Sequence, residues 1–168
     1  ELPRNGQYRD VLGQLLAMKT YVLEEAKAGE EAATARQEAT KAWREAIAVE
    51  KNPRYQYHLG RFTAEKIGQL DEDAQQELMS LAQACVGATP FNADCQNLLA
   101  LAAALNGQVE IAQQAMDQAR KLRTKPHGDD WIAEAVLLAA RKQADAAQQA
   151  LAAAIKWHAA EQPGNQRL

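Results

Sequence analysis

Four prolines, Pro53, Pro90, Pro126 and Pro163, stand 37, 36 and 37 residues apart in a chain of 168 residues. Proline lacks an amide donor and its ring clashes with the preceding helical turn, so a regular proline spacing marks where helices stop. Between these stops lie Gly29, Gly68 and Gly107, each 39 residues from the next. Glycine is the residue that most readily takes the left-handed conformation ending a helix. The two sets of breakers cut the chain into helix-sized segments in pairs. A period in this range is the signature of stacked helical hairpins, because one hairpin cannot bury its apolar face without a neighbour. In the fourth stretch the glycine gives way to a polar run, Lys142-Gln143-Ala144-Asp145.

Composition agrees with this division. Thirty-six alanines, the best helix formers and poor strand residues, stand against nine glycines, five prolines and only 5% aromatics, which disfavours an all-β fold or a parallel-sheet enzyme. Residues 8–28 read as a first helix with Val11, Leu12, Leu15, Leu16, Met18 and Val22 near helical spacing, and 30–51 as a second with Ala39, Trp43, Ala46, Ile47 and Val49. Helices follow at 55–67, 72–86, 93–106 and 109–123. Asp129 or Asp130 is expected to cap the seventh helix, which carries Trp131 and Leu138, and the eighth carries Leu151, Ile155 and Trp157. The expected fold is all-α, about eight helices as stacked antiparallel hairpins. It is read as one repeat domain over 1–168, with hairpins at roughly 8–53, 54–90, 91–126 and 128–163.

Several function classes are excluded by what is missing. The 19 basic and 22 acidic residues are interspersed and sum to a formal charge of -3, so no phosphate-binding footprint forms and nucleic acid is not an expected partner. The most aliphatic runs, LLALAAAL and WIAEAVLLAA, are too short to cross a membrane. The acidic clusters Glu24-Glu25 with Glu30-Glu31, and Asp71-Glu72-Asp73, sit beside turns, where solvated helix ends account for them. There is no glycine-rich phosphate cradle, Ser80 is the only serine, and His58, His127 and His158 lack metal-ligand spacing. No catalytic residue, cofactor or metal is therefore expected, and the chain is read as a non-enzyme. Cys85 and Cys95 bracket a turn-rich stretch with Gly87, Thr89, Pro90 and Asn92. They are disulfide candidates, which would place the protein in a periplasmic or exported setting. Two free buried thiols in a cytoplasmic protein are the alternative.

At the level of motifs the chain resembles the tetratricopeptide repeat family. The fourth unit carries Trp131 early in its first helix, then Ala135 and Leu138, with Ala147, Leu151 and Ala154 in the second helix. The third has Leu99-Ala100, Gly107 at the turn, Ala112, Ala119 and Leu122. The second contains Leu59-Gly60, followed by Ala74, Leu78 and Leu81, and the first has Ala39, Trp43, Ala46 and Pro53. The resemblance covers roughly residues 20–161 as four degenerate copies. It implies a groove-bearing interaction module. The paired lysines, arginine and asparagines of the carboxylate-clamp form are not evident, which disfavours a receptor for chaperone tails.

Arg54, Tyr55, Tyr57, His58 and Arg61 form the densest cluster of basic and polar-aromatic groups. First helices of stacked hairpins line the inner face, where an extended peptide docks. Arg54, Tyr57, His58 and Arg61 are thus partner-binding candidates, with Asn97 and Leu101 in the third hairpin and Ile132 and Val136 in the fourth by the same positional argument. The expected partner is a protein or peptide, with a membrane-associated complex and self-association as further options. A ligand-sensing extracytoplasmic bundle of a membrane receptor is the alternative, and it requires long helices. The opening helix at 8–28 is expected to cap one end of the array, and the polar stretch 159–168 the other.

Overall fold

A computed structural model describes residues 5–161. Among these residues there are eight α-helices, one short 3-10 turn and no strand. The helices are α1 (Gly6–Glu25), α2 (Gly29–Val49), α3 (Pro53–Ala64), α4 (Glu72–Ala88), α5 (Ala93–Leu105), α6 (Val109–Leu122), α7 (Gly128–Ala140) and α8 (Ala144–Glu161). They run from 12 to 21 residues. The protein is all-α, built from antiparallel helical hairpins. The chain divides into two compact units, the first ending at Ile67 and the second beginning at Gly68. Pro163 and most of the polar stretch 159–168 lie outside the described residues.

Helix starts follow the expected chemistry. Asn5, Asn52, Asp71 and Asn92 each accept a backbone N–H of the first turn through the side chain, satisfying donors that have no intrahelical partner. Pro53 occupies the first turn of α3, where its missing N–H costs nothing. The cap of α7 differs from the sequence expectation. His127, not Asp129 or Asp130, is the N-cap: its Nδ1 accepts the Asp129 N–H at 3.3 Å, and the Asp130 carboxylate accepts the His127 N–H at 3.0 Å. This is a reciprocal capping box closed by histidine.

Three hairpins turn in the same way. Between α1 and α2 the Ala28 N–H bonds to the Leu23 carbonyl and the Lys27 N–H to that of Glu24, with φ of Lys27 at 57°. Gln108 and Gly107 repeat the pair of bonds between α5 and α6, as do Gln143 and Lys142 between α7 and α8. Here φ is 69° at Gly107 and 61° at Lys142. Each is a Schellman turn. Of the three evenly spaced glycines only Gly107 takes the left-handed position; Gly29 starts α2 and Gly68 lies in the 3-10 turn.

In the first unit α1 and α2 pack along their lengths and α3 closes against both. The buried face of α1 is Gly6, Asp10, Gly13, Ala17 and Thr20, and it meets an alanine-rich α2 that buries Ala32, Ala35, Ala39, Ala42, Trp43 and Ala46. Small residues let the two backbones approach. A Cβ on Gly13 would stand 2.7 Å from the Trp43 indole, so glycine is required there. The large apolar residues of α1 consequently point outward, against the sequence expectation: Val11, Leu15, Met18 and Val22 are all exposed. With an apolar outer face, α1 is not a polar cap.

In the second unit α5 is central, with α4, α6 and α7 packed on it, and α7 pairs in turn with α8. Cys95, Leu98, Leu101 and Ala100 to Ala104 are buried, because α5 is apolar on nearly all sides. Cys85 in the last turns of α4 and Cys95 in the first turn of α5 form a disulfide, their Cα atoms 5.5 Å apart. Among the described residues, no helix is long and apolar enough to cross a membrane.

Candidate functional site

Asp10 organises the first unit. It lies on the small-residue face of α1, one turn before Gly13, and is 1% exposed. Its Oδ1 accepts a hydrogen bond from Trp43 Nε1 of α2 at 2.9 Å and lies 2.6 Å from His58 Nδ1 of α3. Its Oδ2 accepts from Gln14 Nε2 at 2.9 Å and lies 3.4 Å from Arg54 Nε. A buried carboxylate costs several kcal/mol unless it is paired and hydrogen-bonded. Here donors from all three helices converge on one group, so its desolvation is offset only when α1, α2 and α3 are in register.

This arrangement fixes His58. The ring donates through Nδ1 to the carboxylate, which orients the imidazole and leaves Nε2 as its other polar atom. His58 also lies near the Trp43 and Tyr57 rings, at centroid distances of 6.3 and 6.0 Å. Beside it opens a cleft of about 200 Å³ whose wall comprises Gln14, Ala17 and Tyr21 of α1, Trp43 of α2, and His58, Arg61 and Phe62 of α3, with Glu65 at its end. A more polar cleft of about 310 Å³ is lined by Asp10 itself with Asn5, Gln7, Glu50, Asn52, Arg54 and Tyr55.

The far end of the first cleft is held by ions. Arg36 stacks 4.1 Å over the Phe62 ring and donates to the Phe62 carbonyl, to Glu24 and to Glu65. The Tyr21 hydroxyl donates to Glu65. Burial, then the Glu65 hydrogen bond, pushes the Tyr21 hydroxyl well above the usual phenol range. The hydrogen bond from Lys66, 3.0 Å away, holds the Glu24 carboxyl below its ordinary value. Tyr55 is raised by burial and then by the Glu50 charge.

The candidate residues fare differently. Arg54, Tyr57, His58 and Arg61 all lie on α3; Arg54 is 61% exposed in its side chain, His58 is 22% exposed and Tyr57 and Arg61 are half-buried. Asn97 and Leu101 of the second unit are 2% and 1% exposed, and Asn97 donates to Asp130 at 3.2 Å. They are core residues that no partner can touch, because α5 is enclosed on several sides. Ile132 and Val136 are half-buried on α7.

Sequence reasoning missed Asp10 altogether. The available signal was the run of small residues at helical spacing, Gly6, Gly13, Ala17 and Thr20, in which Asp10 holds a core position. It also missed the basic stretch Arg120-Lys121-Leu122-Arg123-Thr124-Lys125. Arg123 there pairs with Asp94 at 2.6 Å and lies 3.2 Å from Asp130, and a cleft of about 340 Å³ opens between Arg120, Lys125 and Trp131.

Chemically, an Asp–His pair can move protons, yet the wall of the adjoining cleft includes no serine, threonine or cysteine for His58 to activate. Among the described residues no group of three or more His, Cys, Asp or Glu is placed to hold a metal ion. The arrangement suits binding: a rigid aromatic wall of Trp43, Tyr21 and Phe62 with an oriented imidazole and a guanidinium at its rim.

No protein-family model matches the chain. No curated protein matches it in sequence. Among solved structures the chain is similar to MamA 41-end from Desulfovibrio magneticus RS-1, with a TM-score of 0.54 and 17% sequence identity, covering 88% of this chain and 76% of that chain. A likeness at that identity speaks for the fold alone, and it supports a tetratricopeptide-like all-α architecture.

Proposed function

We propose that the chain is a non-enzymatic protein-interaction module, and that the first unit presents an extended peptide or a partner's loop with the cleft beside His58. The observation that carries this reading is the combination at that cleft. Tyr21, 41% exposed, supplies aromatic contact area, the buried Trp43 and Phe62 rings stiffen the wall behind it, and His58 and Arg61 supply polar groups that fix register. Asp10 matters indirectly, by orienting His58. The tetratricopeptide-like fold is consistent with a scaffold role.

The test is co-purification followed by mass spectrometry, with the wild type and Arg61→Glu compared at equal thermal stability. A set of partners retained by the wild type and lost by Arg61→Glu supports the reading, with Lys121→Glu, remote in sequence on α6, as the control that keeps them. Partners bound equally by all three proteins would remove the cleft from consideration. We further propose a periplasmic or exported setting for this module, supported by the Cys85–Cys95 bond, which persists in an oxidising compartment.

A further inference from the structure

We infer that the second unit carries a docking site of its own, on the connection between α6 and α7, for an acidic segment of a partner protein. The site is independent of the cleft beside His58, which belongs to the first unit. Charge is the first reason. From Ile67 to Ala119 the chain has seven carboxylates and no lysine or arginine; Arg120, Lys121, Arg123 and Lys125 then follow within six residues, with no acid between Asp117 and Asp129. The charges even out over the whole chain but not along it. Burial sharpens the contrast, because the acids nearest this segment lie beneath it. Asp129 and Asp130 are 6% and 4% exposed. Asp130 is used up by the His127 N–H, the Asn97 amide and the Arg123 guanidinium. Lys121, Thr124, Lys125 and Pro126 face solvent, and Lys125 makes no ion pair among the described residues. The surface that a partner meets is cationic at this connection, which is the complement of a carboxylate-bearing segment.

Shape is the second reason. Two clefts flank the connection and share Arg123, Thr124, Lys125 and Pro126 as a common wall. One, of about 340 Å³, is closed by Trp131 of α7; the other, of about 380 Å³, is closed by Trp157 of α8. Each therefore offers a half-buried indole beside the same exposed lysine. The Trp157 ring is fixed by stacking 4.4 Å from His127. An extended peptide crossing this ridge sets an apolar side chain in each cleft and a carboxylate between them at Lys125, so the indoles supply anchoring area and the charge fixes register. Arg120 adds a second cation at the rim. Its pair with Glu134, at 2.7 Å, is a surface one that a partner's carboxylate can replace at little cost. A phosphate backbone fits less well. The second unit holds twelve acids to eight bases, and Asp94 and Glu134, 47% and 29% exposed in their side chains, border the cations. A nucleic acid tracking past the ridge meets those carboxylates, whereas a short acidic segment needs the ridge alone.

The test is selection of displayed random dodecapeptides on the full chain, followed by fluorescence anisotropy of the enriched sequences as synthetic peptides. Enrichment of peptides that combine aspartate or glutamate with a large apolar residue is expected, with Kd of about 100 µM or tighter at low salt. Lys125→Glu is expected to weaken them about tenfold or more, with an unchanged circular-dichroism melt because Lys125 is exposed. Arg141→Glu changes the net charge equally, at the turn between α7 and α8, and is expected to leave binding intact. Arg61→Glu is expected to leave it intact too, which separates this site from the cleft beside His58. Enrichment without acids, or acidic peptides indifferent to Lys125→Glu, overturns the inference. So does an equal loss with Arg141→Glu, which would make the attraction one of overall charge. Tighter binding of a single-stranded oligothymidylate than of any selected peptide would assign the ridge to nucleic acid instead and overturn it as well.

Discussion

At the scale of single residues, the decisive group is a carboxylate that composition treats as one acid among 22. Asp10 accepts donors from three helices while 1% exposed, so its removal strips partners from Trp43, His58 and Gln14 together. Unpaired buried donors are costlier than the bonds themselves are favourable. Asp10→Ala is expected to destabilise the first unit by about 3–5 kcal/mol. Urea unfolding followed by tryptophan fluorescence checks it, since Trp43 is the first unit's tryptophan and loses its Nε1 acceptor. A loss below about 1 kcal/mol would show that the carboxylate does not tie the helices together. The cluster on α3 was legible from sequence because aromatic and basic residues crowd there. Its partner on α1 was not, because hydrophobic periodicity finds large apolar residues, and here they lie on the wrong face.

At the scale of elements, helix existence and approximate ends were readable, since capping residues and apolar periodicity act within a few residues of each boundary. The turns were read less well. A glycine spacing of 39 pointed at Gly29 and Gly68, yet the left-handed positions fall at Lys27, Gly107 and Lys142, because a Schellman turn is defined by backbone geometry that glycine favours and does not monopolise. Lys27 and Lys142 therefore carry a Cβ where glycine would carry none. Lys142→Gly is expected to stabilise the second unit by about 0.5–1 kcal/mol, and Lys27→Gly the first, net of the unfolded-state entropy that glycine adds. Chemical denaturation of each variant measures this, and a loss of stability in both would contradict the turn assignment. The join between α1, α2 and the end of α3 also depends on pH. The Glu24 carboxyl is held below its ordinary value chiefly by the Lys66 hydrogen bond, so its contribution is complete above the unfolded value of about 4.3 and is lost as pH falls through the folded one. Its side chain is 37% exposed, and solvent screening limits the contribution to a few tenths of a kcal/mol. Glu24→Gln is accordingly expected to lower the urea midpoint slightly at pH 7, with the gap from wild type closing as pH falls below the ordinary glutamate range; a gap that widens in acid would reverse the assignment.

At the scale of the whole molecule, proline spacing correctly announced an alternation of helices and connections. Pro53 is the first residue of α3, and Pro90 and Pro126 lie in the connections before α5 and α7, a rule that is local and therefore legible. Which helices bury which faces depends on how close two backbones come, and alanine content alone does not report that. The same holds for Asn97 and Leu101, whose positions on α5 suggested an inner surface until the helix proved to be enclosed. The one covalent tie, Cys85–Cys95, lies entirely within the second unit and closes a loop of ten residues in sequence between α4 and α5. By chain entropy such a closure stabilises the native state by roughly 2–3 kcal/mol. Adding a phosphine reductant to the full chain is thus expected to speed amide exchange across α4 and the first turns of α5, where Cys85 and Cys95 are 0% and 3% exposed and the bond's loss is felt most directly. Exchange in α1 to α3, which the bond does not touch, is expected to stay the same. Unchanged protection of α4 after verified reduction would mean that helix packing alone holds this connection.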